Sequence, residues 1–246
     1  MKRVLILIDG QNLFYGLKNL GLKESEINWS KVFQSFIEPT DELIRAYWFR
    51  PQKIQDGHFS AESIRNQIVY RNFNGTYNLY KSGNHSAINK QVLENIEREA
   101  IRVEKWLHEQ RSRFSNIEYM YDQLCLDNCD IEIVKRGIVK VNPYTQEYTG
   151  EKGVDIALAV KMISLSIEKK CDKIILVSGD YDYAEAINYV KNNMTKVNIV
   201  KLHKGFPPKN RNMSRDLSVL ADKVIDLYED DIRTNYLKKY PLPQPY

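Results

Sequence analysis

The sequence predicts an α/β protein: a doubly wound parallel β-sheet flanked by helices, with a partly helical insertion in the middle of the chain. Three observations carry this. Short aliphatic runs at Val4–Ile8, Ile174–Val177 and Lys196–Leu202 read as buried strands. The stretches before and after the second run have helical rather than alternating patterning, which is the signature of βαβ units. Acidic residues follow two of the runs at once, where open α/β sheets bind their ligands.

Taken in order, Val4–Ile8 is uninterrupted aliphatic sequence that stops at Asp9. Lys2 and Arg3 before it imitate the start of a secretion signal, but a five-residue run is too short for a signal core. Asn28 is a good N-cap for a helix whose apolar stripe is Trp29, Val32, Phe33, Phe36 and Ile37. Leu43–Phe49 reads as a second core strand. Residues 51–115 read as an insertion or cap. Within it, Val69–Lys81 carries Tyr70, Phe73, Tyr77 and Tyr80 with Arg71 and Lys81, plus an Asn74-Gly75 turn signal. Ser86–Arg111 follows as a long charged amphipathic helix, with Ile88, Val92, Ile96 and Ala100 at four-residue steps.

Ile131–Val141 is strand-like, β-branched residues alternating with charges. Val154–Ile167 is apolar nearly all round, so a well-buried helix is expected there. Tyr183–Asn192 links the strand at Ile174–Val177 to the one at Lys196–Leu202. The reading gives a single domain over residues 1–228 and a C-terminal extension over 229–246, ending in a proline-rich tail from Tyr240.

Composition narrows the class. The chain has 246 residues, 43% hydrophobic, enough to bury a core without staples. Its three cysteines, Cys125, Cys129 and Cys171, are odd in number and irregular in spacing, which argues against a disulfide framework. Cys125 and Cys129 have no matching Cys/His pair at zinc-finger spacing. No stretch approaches the ~20 apolar residues of a membrane span. A soluble, cytoplasmic protein without membrane partners is expected. The net charge of +4 is too small to identify a partner, but Lys201, Lys204, Lys209, Arg211 and Arg215 form a block without a single acid. That block either steers a phosphate-containing ligand or is a solvated loop.

The chemistry is in the acids. Asp9 follows the first strand, and Asp180 and Asp182 follow a later one after only Ser178-Gly179. Asp155 lies at the start of a crossover helix, which also begins at the carboxyl end of the sheet. Four carboxylates in one pocket repel each other, so either some hold protons or a cation neutralises them. All-oxygen donors favour Mg²⁺ or Mn²⁺, which need few protein carboxylates and keep waters for a phosphate substrate. The alternative is that each acid merely caps a turn or a helix. Asn12 either holds a metal-bound water or phosphate, or closes the helix start. Ser178 orients Asp180 or closes the turn. Lys152 is a phosphate contact or a surface lysine.

These residues resemble a known family. Ile8-Asp9-Gly10-Gln11-Asn12-Leu13-Phe14, then Glu151-Lys152-Gly153-Val154-Asp155, then Ser178-Gly179-Asp180-Tyr181-Asp182-Tyr183 resemble the NYN domain, a PIN-like family, and its bacterial LabA-like branch in particular. Leu217–Asp222 with Val224-Ile225 resembles the family's last helix and strand. The resemblance covers roughly residues 3–20 and 150–227. It implies a PIN-like doubly wound sheet and metal-dependent, endonucleolytic cleavage of RNA, with one or two Mg²⁺ or Mn²⁺ ions activating water for in-line attack. By motif, Asp9, Asp155, Asp180 and Asp182 would be the metal-holding catalytic cluster, with Asn12 supporting it and Ser178 behind it. Lys152, Lys204, Lys209, Arg211 and Arg215 would track the RNA. The chain departs from the family where Phe-x-Pro usually follows the last acid: it has Tyr183-Ala184-Glu185, so Glu185 either adds a carboxylate or faces solvent.

Two other readings compete. A haloacid-dehalogenase-like phosphatase also places an aspartate after its first strand, but Gln11 stands where that group wants a second one. A non-catalytic RNA-binding or partner-binding regulator on the same fold is the third. A homodimer or a protein partner is compatible with all three.

Overall fold

Alternate side chains of a strand point to opposite faces of a sheet, and the first strand of this protein shows it plainly. In the computed structural model, which describes residues 1–128, 130–205 and 215–239, β1 (Lys2–Asp9) sends Val4, Ile6 and Ile8 to one face and Leu5 and Leu7 to the other. All five are essentially inaccessible. A strand buried on both faces needs helices on both, and the chain supplies them. On the Ile6 face lie α1 (Gly10–Asn19), α2 (Trp29–Phe36) and the end of α5 (Lys90–Asp127), where Tyr121 and Leu124 join the core. On the Leu7 face lie α6 (Val154–Ile167), α7 (Ala184–Asn192) and Leu217 of α8 (Arg215–Leu220).

The sheet has six strands, all parallel: β4 (Ile131–Lys135), β2 (Asp41–Arg50), β1, β7 (Lys173–Val177), β8 (Lys196–His203) and β9 (Lys223–Tyr228), in that spatial order. The chain winds outward from β1 through β2 to β4 on one side. From β7 it winds through β8 to β9 on the other. The direction of winding therefore switches between β1 and β7, and Asp9 and Ser178-Gly179-Asp180 follow the strands on either side of that switch point. The predicted doubly wound α/β fold is the one observed.

The chain forms two units, the first comprising the described residues of 1–52, 117–137 and 152–246, the second residues 53–116 and 138–151. The second unit has its own three-stranded sheet, β3 (Lys53–Gln55), β5 (Ile138–Asn142) and β6 (Glu147–Lys152), in the order β3-β5-β6. Ile64, Ile68 and Val69 of α3 (Ala61–Asn72) pack with Ile96, Ala100, Val103 and Leu107 of α5 and with Val139 and Val141. Arg65 ties α3 to α5 through Glu97 at 2.8 Å and Glu104 at 2.7 Å. Tyr77 and Tyr80 lie in α4 (Tyr77–Lys81) and pack against this core, so they serve as packing residues there.

Several expectations need correction. The helix expected over Ser86–Arg111 begins at Lys90 and runs on to Asp127. The strand expected over Ile131–Val141 is two strands, β4 and β5, which belong to different sheets and are separated by Arg136-Gly137. Alternation alone could not reveal that break. The residues after 228 open with α9 (Glu229–Asp231) and a π-helical turn, Ile232–Tyr236, which form part of the first unit. Ile232 is buried there, and the Asn28 backbone N–H donates to the Tyr236 carbonyl at 2.7 Å. The tail from Tyr240 lies outside the described residues. Among the described residues no helix is long and apolar enough to cross a membrane.

Candidate functional site

Asp9 is both the last residue of β1 and the N-cap of α1: its Oδ1 accepts from the Asn12 backbone N–H at 3.0 Å. Helices start well on such a residue, because the carboxylate satisfies a backbone donor that the helix cannot. The tight passage from strand to helix depends on Gly10, since a Cβ there would lie 2.5 Å from the Phe49 carbonyl oxygen. The other oxygen of Asp9, Oδ2, accepts from the Ser178 hydroxyl and the Tyr183 hydroxyl, both at 3.1 Å. Asp9 is only 3% exposed, and burial raises its pKa above the usual carboxylate range despite those donors.

Across the switch point, Ser178, Gly179 and Asp180 form the other wall. The Asn12 side-chain oxygen accepts from the Gly179 N–H at 3.0 Å, so the start of α1 is tied to the loop after β7. Asp180 donates its own N–H to Ser178 Oγ at 3.2 Å and accepts from the Asp182 N–H at 3.0 Å, capping the 3-10 turn Tyr181–Tyr183. Asp180 is half-buried and Asp182 is exposed. That turn points Tyr181 outward and carries Tyr183 into the core.

Asp155 enters from α6. Gly153, at φ +87°, takes the left-handed conformation that caps the helix start and brings Asp155 into its first turn. Its Oδ1 lies 3.3 Å from the Tyr183 hydroxyl. Burial raises its pKa, the Tyr183 contact lowers it, and the charges of Asp180 and Asp182 raise it further. Tyr183 thus touches Asp9 and Asp155 with one hydroxyl, and its own ionisation is suppressed by burial and by both acids. A phenol has one proton to donate. If both carboxylates are ionised, that one proton is shared between them in a bifurcated bond, and a proton on one acid or a nearby cation relieves the repulsion between the two charges.

The residues expected from sequence fall into distinct groups. Asp9, Asn12, Ser178 and Asp155 are linked through hydrogen bonds, with Asp180 bonded to Ser178 and Asp182 to Asp180. Ser178 does more than close a turn, because it serves Asp9 and Asp180 together. Lys152 is exposed, three residues before Asp155. Lys204 lies elsewhere: its Nζ donates to the Asn19 carbonyl at the end of α1 at 2.9 Å. Lys209 and Arg211 lie outside the described residues, and Arg215 opens α8 with its side chain outside them too. Glu185 faces solvent.

Sequence reasoning missed Tyr183. Its position counted only as a departure from Phe-x-Pro, although a tyrosine in place of phenylalanine next to acids is a signal that its hydroxyl has work to do. It also missed a small cavity lined by Asn12, Ser178, Gly179 and Lys201 among others. At about 30 Å³ this cavity accommodates water rather than a nucleotide.

Among the described residues, no three Asp, Glu, His or Cys side chains are grouped as a ready cage for an ion. A fully protein-ligated metal does not fit. A hydrated divalent cation held by one or two carboxylates does, because every donor is oxygen and the acids already crowd one proton.

Comparison with known proteins bears on the family more than on the activity. The chain resembles the crystal structure of a protein of unknown function from Vibrio parahaemolyticus, at 14% identity over 96% of each chain and a TM-score of 0.47, too distant to carry an argument. No curated protein matches the chain. The family model of the NYN domain matches residues 3–229, both flanks of the second unit included. This chain therefore belongs to the NYN domain family, a branch of the PIN-like nucleases.

Proposed function

We propose that this protein is a metal-dependent endoribonuclease of the LabA-like kind, acting in the cytoplasm on RNA through the acids at the β1/β7 switch point. The observation that carries the reading is the pair Asp9 and Asp155 sharing the Tyr183 hydroxyl. Asp9 is buried and Asp155 exposed, so the pair offers a cation one anchored and one accessible carboxylate, and the cation would relieve their mutual repulsion. Mg²⁺ or Mn²⁺, when bound, would polarise the phosphodiester and lower the pKa of a water.

The chain's own residues do the rest. Asn12 and Ser178 fix the rotamer of Asp9, so its carboxylate does not have to be ordered when substrate arrives. Asp155 would offer a second carboxylate oxygen to the ion. Asp180, half-buried, and Asp182, exposed, would bind the water around a hydrated cation. Lys152 and Lys201 would meet backbone phosphates, the role that we also assign, by sequence, to Lys209, Arg211 and Arg215.

The phosphatase alternative fares worse on geometry. A nucleophilic aspartate must be reached in line by the substrate phosphorus, which the 3% exposure of Asp9 does not allow, and Gln11 stands where that group wants a second aspartate. The test is cleavage of end-labelled RNA and of the matching DNA with Mg²⁺, Mn²⁺ or EDTA, comparing wild type with Asp180→Asn. Internal cuts in RNA that need metal and vanish in the variant support the proposal. An absence of metal-dependent cleavage on varied RNAs, or equal cleavage by the variant, overturns it.

A further inference from the structure

The sequence leads one to expect α6 to be buried all round, and it is not. Val154, Leu158, Met162 and Leu165 face the core. About half a turn away around the helix, Ile156, Val160 and Ile167 are 70%, 56% and 54% exposed. Ile163 lies between them on the same stripe, partly buried. A soluble helix normally carries polar residues on that face. The only charged residues of α6 are Asp155 and Lys161. Asp155 is held at Tyr183, and Lys161 is turned over the Tyr47 ring, 4.6 Å from its centroid. The outward stripe is therefore uncharged along its whole length, which suits neither a nucleic acid nor a charged peptide.

The spacing says what does suit it. The four residues stand at steps of four, three and four. That series reads the same in both directions, so a two-fold axis across the middle of the helix lays the stripe on itself. Ile156 would meet Ile167 of the partner subunit, and Val160 would meet Ile163 of the partner subunit. We propose that the outward face of α6 is an isologous dimer interface on which a second copy of this chain packs its own α6 antiparallel. Self-complementarity of one patch is the condition for a two-fold contact. The stripe is only about 16 Å long at a rise of 1.5 Å per residue. Such an interface falls at the small end of the range for specific complexes, below about 1,200 Å², so the dimer should be concentration-dependent.

Sedimentation velocity of the full chain, from micromolar to several hundred micromolar, tests this. Wild type should shift from 28.9 kDa toward twice that mass as concentration rises, while Val160→Glu stays monomeric with an unchanged circular dichroism spectrum. A wild type that remains monomeric throughout, or a variant that dimerises as wild type does, overturns the proposal. A second measurement does not depend on that variant folding. Ile156→Cys and Ile167→Cys are oxidised alone and mixed, with the unsubstituted chain as background. The antiparallel register predicts a hetero-disulfide several-fold in excess in the mixture, because each position lies roughly 16 Å along the axis from its own copy. A mixture no better than either single variant overturns it.

Discussion

The Tyr183 hydroxyl lies 3.1 Å from Oδ2 of Asp9, in a position where both groups are nearly inaccessible to solvent. A buried carboxylate with a phenol against it is held in one rotamer, and here the same phenol also reaches Asp155 at 3.3 Å. Tyr183 therefore bridges the two acids, whose elements β1 and α6 also pack on each other through Leu5, Leu7, Val154 and Leu158.

Replacing Tyr183 by Phe keeps the ring in the core and removes only this link. Outer-sphere hydrogen bonds of this type affect metal affinity or activity by roughly 10- to 100-fold when lost. Metal-dependent RNA cleavage should fall by that order, while folding stability changes by about 1 kcal/mol. Cleavage titrated against Mg²⁺, beside a urea melt, separates the two effects. Cleavage at wild-type level would show that the hydroxyl has no part in the site.

Substitution can separate the capping role of Asp180 from the catalytic role that we propose for it. Its carboxylate accepts from the Asp182 N–H and so starts the turn that carries Tyr183 inward. Asparagine caps as well as aspartate, whereas alanine cannot cap. Asp180→Asn should fold like wild type and lose cleavage. Asp180→Ala should lose cleavage and also about 1 kcal/mol of stability. Equal stability of the two variants would mean that the cap contributes nothing.

Much of this was legible in the sequence, for identifiable reasons. Val4–Ile8 and Ile174–Val177 announce themselves because strands buried on both faces have no polar side chains, and acids directly after such runs mark the ligand-binding edge. Asn28 was readable as an N-cap, and its side chain does accept from the Lys31 N–H at 3.1 Å. The role of Tyr183 was not legible, because it depends on a turn that brings residues from β1, α6 and the loop after β7 together. Nor was the assignment of Ile138–Asn142 to a second sheet, since period-two alternation looks the same in either. The outward stripe of α6 was hidden for a related reason: an apolar residue can face the core or a partner.

Gly10 is where the backbone leaves least room. A Cβ at this position would come within 2.5 Å of the Phe49 carbonyl and 3.0 Å of the Trp48 ring nitrogen. Neither neighbour yields easily, one being backbone and the other a fully buried indole. Gly10→Ala should destabilise by about 1–3 kcal/mol, the usual range for overpacking, and shift α1 together with Asn12. Denaturant melts measure the loss. A neutral or stabilising result would show that the start of α1 moves freely over β2.

Glu24, far from the acids in sequence, gives the fold a pH dependence of its own. It lies in the 3-10 turn Glu24–Glu26 between α1 and α2, and burial pushes its pKa from 4.5 to about 7. Tyr121 donates to its Oε2 at 2.7 Å, while Oε1 has no hydrogen-bond partner among the described residues. The positive charge of Arg50, stacked on the Tyr121 ring, offsets part of the burial cost. Because the folded-state pKa is raised, the folded protein binds more protons than the unfolded chain between pH 4.5 and 7. Stability contributed by this group is complete below the lower value and is lost as pH rises through the upper one. The loss is on the order of 3 kcal/mol, since each tenfold change in proton affinity is worth about 1.36 kcal/mol. Glu24→Gln cannot ionise, so the stability of wild type minus that of the variant should fall by that amount between pH 4.5 and about 8. Urea melts of both proteins across this range measure it, and parallel stability curves would show that Glu24 is charged at little cost in the folded state.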